Sequence, residues 1–139
     1  MNKFFVDSDV IIDLLIDRTP FSDHSTHIFN MASMGKIELW MSSLSVNNIY
    51  YVIRKPLGEK KAKEVIRELT TFIQIEGVGK REIVEALSLN FKDFEDAIQY
   101  STATRIAGVK AILTRNSKDY KNSKIAVFTP EVFLKTFKL

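Results

Sequence analysis

Apolar residues are spaced in two ways along this chain, and the alternation between them predicts its elements. Lys3–Val6 is a short apolar run that ends against an acid, Asp7. Beyond it, Val10, Ile11, Ile12, Leu14, Leu15 and Ile16 give a helix from Asp9 to Ile16 that is apolar nearly all round, with Ser8 or Asp9 as its cap. Asp17-Arg18-Thr19-Pro20 breaks the pattern, and a second helix runs from Ser22 to Met34, stopping at Gly35. Ile37–Met41 reads as a strand, Ser42-Ser43 as a cap pair, and the following residues as a helix through Arg54. Past Pro56-Leu57-Gly58 comes a more polar amphipathic helix, Glu59 to Thr70, then a strand at Phe72–Ile75 and a short helix from Arg81 to Leu87. Lys92-Asp93-Phe94-Glu95-Asp96 opens a helix reaching Ala107, with Gly108 as its stop. Strands at Ala111–Thr114 and Ile125–Phe128 follow, and Pro130 starts a terminal helix. Strands separated by helices predict an α/β fold, with a central parallel sheet of four to five strands flanked by helices on both faces.

Composition narrows the class without changing that picture. The 139 residues read as one domain, 1–139, with 45% apolar and 27% charged residues and no internal repeat. The absence of cysteine excludes disulfides and thiolate metal sites. Asp7, Asp9 and Asp13 interrupt any signal-peptide core, and no apolar run approaches the ~20 residues of a membrane span, so a cytoplasmic protein with no membrane contact is expected. A net charge of +3 permits a polyanionic partner without requiring one.

Acids stand at the start of helices or turns in three places: Asp7 with Asp9, Asp93 with Asp96, and Asp119. Each has a structural explanation on its own. Asp9 can cap a helix, Asp93 and Asp96 can form a capping box, and Asp119 can begin a surface turn. Together they point elsewhere. Asp7 ends a strand, Asp93 and Asp96 share a helical face, and the strand before Thr114 ends beside Asn116 and Asp119. If those strands are neighbours, the acids converge on one sheet edge, where like charges repel unless a cation neutralises them. Hard oxygen ligands select Mg²⁺ or Mn²⁺, ions suited to activating water against a phosphodiester. His24 and His27 lack the partners of a zinc site and read as packing or surface residues, and no glycine-rich phosphate loop is present.

Four segments, in order and on matching elements, resemble the PIN-domain family, the ribonuclease fold of VapC-like toxins in bacterial toxin–antitoxin pairs. They are Val6-Asp7-Ser8-Asp9-Val10-Ile11-Ile12-Asp13, Met41-Ser42-Ser43-Leu44-Ser45-Val46-Asn47-Asn48, Asp93-Phe94-Glu95-Asp96-Ala97-Ile98-Gln99 and Ile112-Leu113-Thr114-Arg115-Asn116-Ser117-Lys118-Asp119-Tyr120. The resemblance implies a metal-dependent endoribonuclease, with Asp7 and Asp96 holding Mg²⁺ or Mn²⁺ and Asp119 joining them as a catalytic acid. Asp9, Asp93, Asn48, Asn116 and Ser42 are its expected supports, with Arg115 and Lys118 at the RNA phosphates. Asn48 stands where the family usually has glutamate, and Asn116 where a further aspartate is frequent; the latter matches a subset reading Thr-Arg-Asn-x-x-Asp. The implied partners are RNA, an antitoxin protein and a second copy of the chain, to which Tyr50, Tyr51 or Phe21 could contribute. Two alternatives stand beside this reading. A PIN domain could bind RNA or protein without cutting, and Val6-Asp7-Ser8-Asp9-Val10 also fits the opening motif of haloacid-dehalogenase-like phosphatases.

Overall fold

The computed structural model describes residues 1–137. It contains five strands and seven helices among those residues: β1 (Lys3–Val6), α1 (Ser8–Leu15), α2 (Ser22–Ser33), β2 (Glu38–Ser42), α3 (Ser43–Leu57), α4 (Glu59–Leu69), β3 (Ile73–Glu76), α5 (Lys80–Leu87), α6 (Phe94–Ala103), β4 (Val109–Leu113), β5 (Ala126–Phe128) and α7 (Pro130–Thr136). A short 3-10 turn, Ser117–Tyr120, links β4 to β5. All strands pair in parallel, in the order β3-β2-β1-β4-β5, as the alternating pattern predicted.

Strand pleating explains why both faces are covered. Phe4 and Val6 enter one cluster with Ile11 of α1, Ile28 of α2, Ile53 of α3 and Phe133 of α7. Phe5 and Ile112 point the other way, against Tyr100, Ala103 and Ile106. Phe4, Phe5, Val6, Ala111, Ile112 and Leu113 are all fully buried, so β1 and β4 form the dry centre of the sheet.

Element ends show where local chemistry overrode the pattern. Helix α1 begins one residue earlier than expected because Asp7, not Ser8 or Asp9, is its cap: the Asp7 carboxylate accepts from the Ser8 N–H. Asp9 falls in the first turn instead. Helix α6 ends at Ala103, four residues short of Ala107. There Thr102 and Thr104 turn their hydroxyls back onto the carbonyls of Ile98 and Ser101, and the backbone tightens into successive three-residue turns. Gly108, at φ +81°, then reverses the chain into β4. Ser42 caps α3 by accepting from Ser45 N–H, and Thr129 caps α7 ahead of Pro130.

The chain builds outward from β1 through β2 and β3, then returns to place β4 and β5 on the other side. The crevice where such winding reverses lies beyond the carboxyl ends of β1 and β4, the usual place for a ligand in an open parallel sheet.

Candidate active site

A cleft of about 560 Å³ opens at that point. Asp7, Ser8, Asp9 and Ile12 line it from the β1–α1 junction, Asn48, Tyr51 and Val52 from α3, and Asp93, Glu95 and Asp96 from the start of α6. Asn116 and Asp119 complete it from the β4–β5 connection, and Arg18 from the α1–α2 connection. The acids singled out in the sequence thus share one crevice.

Asp7 is the best-fixed of them. It is 7% exposed, and its backbone N–H continues the β1–β4 ladder to Leu113 O at 2.9 Å. Its Oδ1 accepts from Ser8 N–H at 2.8 Å, while its Oδ2 accepts from the Thr114 hydroxyl at 2.9 Å and the Tyr120 hydroxyl at 3.2 Å. Burial still raises its proton affinity above the ordinary carboxylate range, against the pull of those donors. The Tyr120 phenol is itself pushed upward by burial and by the charge of Asp7, so it remains protonated as a donor. Asn116 N–H in turn donates to Thr114 Oγ1 at 3.1 Å, tying the β4 end to the same corner.

Asp9 accepts from Arg115 N–H at 3.0 Å through Oδ2, but its buried Oδ1 has no hydrogen-bond partner. Burial, then the charge of Asp7, raises its pKa to about 7. Asp93 caps α6 by accepting from Asp96 N–H at 3.2 Å, leaving the Asp96 carboxylate to the cleft. Asp96 is raised to about 7 by burial and then by Asp7, Asp93, Asp119 and Glu95. Asn48 donates to Glu95 Oε1, and Glu95 is raised by burial and by Asp7 and Asp93.

The remaining expected residues lie elsewhere. Ser42 is fully buried and donates to Gln99 Oε1 at 2.6 Å rather than to any acid; Ser45 bridges it to Ser8. Arg115 does not turn into the cleft. Its guanidinium makes a two-pronged bond to Asp13, at 2.5 and 3.0 Å, and stacks 4.0 Å above the Phe21 ring. Lys118 lies in an adjoining crevice of about 600 Å³ with Lys92, Lys121, Asn90 and Asn122, where Asp119 is the shared wall.

Residues that sequence reasoning missed here are Glu95, Arg18, Thr114 and Tyr120. Glu95 carried a signal, an acid one position from Asp96 in a first helical turn. Tyr120 carried none, since a tyrosine after a turn more often packs than donates to a carboxylate.

Chemically, the cleft is a set of hard oxygen donors whose burial and mutual repulsion are only partly offset by their hydrogen bonds. An orphaned, buried carboxylate oxygen on Asp9 and two acids raised to about 7 fit a small divalent cation. No three carboxylates or histidines among the described residues close into a ready-made cage. Few protein ligands and several waters is the usual manner of Mg²⁺.

A profile described as PIN domain matches residues 3–118. The chain belongs to the PIN domain family. Within this family, Ribonuclease VapC1 of Aquifex aeolicus is 35% identical over 136 residues, spanning 94% of this chain and 92% of that protein. Solved structures with the same fold include VapBC2 from Rickettsia felis bound to a promoter DNA fragment, at TM-score 0.69 and 10% identity over 91% of this chain and 98% of that one. Another is VapC20 of Mycobacterium tuberculosis, a toxin that cleaves the sarcin-ricin loop, at TM-score 0.62 and 14% identity over 78% and 86%. A toxin–antitoxin complex from Klebsiella pneumoniae aligns at TM-score 0.68 and 18% identity over 91% and 96%.

Proposed function

We propose that this PIN domain is a metal-dependent endoribonuclease and the toxin of a toxin–antitoxin pair. The observation that carries the chemistry is the convergence of Asp7, Asp9, Asp96 and Asp119 on one crevice whose lining holds a single cationic side chain. The similarity to Ribonuclease VapC1 supports RNA as the polymer cut.

Asp7 and Asp96 would hold Mg²⁺ or Mn²⁺, with Asp9, Asp93, Asn48 and Asn116 as supports through direct or water-bridged contact. Such an ion supplies Lewis acidity to a water and to the phosphate it attacks. Thr114, Tyr120 and Ser8 hold the Asp7 carboxylate in one orientation. Asp119, at the cleft edge, would receive the proton released as water oxygen bonds to phosphorus; the bond from phosphorus to the ester oxygen breaks, and that oxygen takes its proton from a solvent water or from Asp119. Flanking phosphates would run past Asp119 into the crevice of Lys118, Lys92 and Lys121. Arg115 serves by stiffening the β4 end rather than by touching RNA, and Thr114–Asp119 is the Thr-Arg-Asn-x-x-Asp variant of this corner. The solved complexes named above support an antitoxin as partner, and a second copy of the chain is proposed alongside it. No helix among the described residues is long and apolar enough to cross a membrane, which suits a cytoplasmic role.

The purified protein should cut single-stranded RNA only with Mn²⁺ or Mg²⁺, and Asp7→Asn and Asp96→Asn should each lower the rate by about 10²-fold or more. Equal trace activity in wild type and both variants would leave a non-cutting binding module as the better reading.

A further inference from the structure

The cleft is rich in carboxylates and poor in cations. Among the described residues lining it, Arg18 is the single cationic side chain. Its surroundings fix the backbone and leave the guanidinium open. The Arg18 N–H donates to Asp13 O at 3.0 Å, and its carbonyl accepts from Ser22 N–H at 2.8 Å. Asp17, at φ +49°, makes the reversal that turns Arg18 back toward α1. Beyond that, one guanidinium nitrogen lies 3.5 Å from Asp13 Oδ1, and the side chain keeps 40% exposure.

Asp13 explains why this tether is loose. It is fully buried, and both its oxygens are already bonded by Arg115 at 2.5 and 3.0 Å. Arg115 is therefore the committed partner, and the Arg18 guanidinium is held to Asp13 by the one 3.5 Å ion pair. Arg115 also holds Asp9 through its backbone N–H, so a continuous run of contacts links Arg18, Asp13, Arg115 and Asp9.

An RNA phosphate approaching this cleft meets carboxylates. A divalent cation offsets part of that repulsion; the rest falls to a protein cation that can face two phosphate oxygens at once. The planar fork of arginine matches that geometry better than the point charge of lysine. We propose that Arg18 is the residue that binds the scissile phosphate and stabilises the charge that grows on its non-bridging oxygens. This assignment rests on the ribonuclease reading of the cleft and adds a catalytic residue to it.

The test uses wild type, Arg18→Gln and Arg18→Lys, each measured for Mn²⁺-dependent RNA cleavage, for Mn²⁺ affinity by titration calorimetry, and for binding of a fluorescent single-stranded RNA with Ca²⁺ replacing Mn²⁺. Arg18→Gln should lower kcat by about 10²-fold with a smaller change in KM, and Arg18→Lys should recover part of the loss. Mn²⁺ affinity should stay the same or tighten, since a cation has left the cleft. Cleavage by Arg18→Gln at the wild-type rate overturns the assignment. So does a loss of cleavage matched by a loss of Mn²⁺ binding, which marks Arg18 as structural. If wild type binds RNA but cuts none, the nuclease reading falls alone: weakened RNA binding by Arg18→Gln then upholds the phosphate contact, and unchanged binding overturns it. No RNA binding by wild type removes both.

Discussion

Two buried aspartates six residues apart in sequence, Asp7 and Asp13, live in opposite electrostatic worlds. Asp13 is sealed from solvent and faces two guanidinium groups, Arg115 at 2.5 Å and Arg18 at 3.5 Å. Asp7 is nearly as buried, yet its partners are hydroxyls and one backbone N–H, and the nearest charges are other acids. A protein that needed only stability would treat both alike. The difference separates a carboxylate neutralised by cations of its own chain from one that burial and neighbouring acids leave with a raised proton affinity. Asp13 holds the walls; Asp7 is the acid to which the proposed function assigns a metal.

Breaking the Asp13 side of the comparison should have the largest effect. Asp13→Ala leaves the partly exposed Arg115 without its carboxylate, and the loss should cost about 3 kcal/mol, the low end for breaking a buried pair. The thermal midpoint should fall by roughly 10–15 °C. A variant melting like wild type would show that Asp13 is not the anchor described. Asp7→Asn removes a carboxylate with no cationic partner, so this variant, expected to be inactive, should melt no lower than wild type in EDTA. A clear drop there would place Asp7 in the same class as Asp13.

A smaller effect follows from pH. Asp9 and Asp96 have folded-state values raised from 3.8 to about 7, so the folded chain binds protons more tightly than the unfolded chain between those limits. Folding is therefore penalised in full above pH 7 and regains stability as pH falls through 7. In EDTA the melting temperature should rise between pH 8 and pH 6, and Mg²⁺ at pH 8 should reproduce much of that rise. A flat profile would show that the acids are not mutually strained. Smallest of all, Tyr120→Phe removes one donor from Asp7, at a cost of about 0.5–1.5 kcal/mol, and should slow cleavage by about tenfold. Full activity in that variant would reduce Tyr120 to a core residue.

The sheet was legible from the chain because buried parallel strands are short apolar runs bounded by turn residues, as Lys3–Val6 and Ala111–Leu113 show. The acids were legible because residues ending β1 and β4 or opening α6 must face the same edge once those strands are adjacent. What escaped was pairing across long sequence distances. Arg115 was expected at the RNA phosphates by the resemblance, while its true partner, Asp13, sits within an apolar helix and counted only as an acid that interrupts a signal-peptide core. Arg18 looked like a helix breaker, since nothing local says where a turn residue's side chain will lie after the chain reverses. Ser42 resembled a pocket donor, yet Gln99, another residue without an obvious role in sequence, captures it.

The central place of β1 has a consequence in time. Asp7 waits for Thr114, 107 residues later, and for Tyr120, 113 residues later. Contacts of that sequence separation form late, after the entropy of closing a long loop has been overcome. On the ribosome, strands β1, β2 and β3 can meet while the acids of the first helix still lack the Thr114 hydroxyl, the Arg115 amide and the Asp96 carboxylate. A stalled chain would carry the early acids with no cleft around them, so the acidic cleft is born only when the β4–β5 connection emerges.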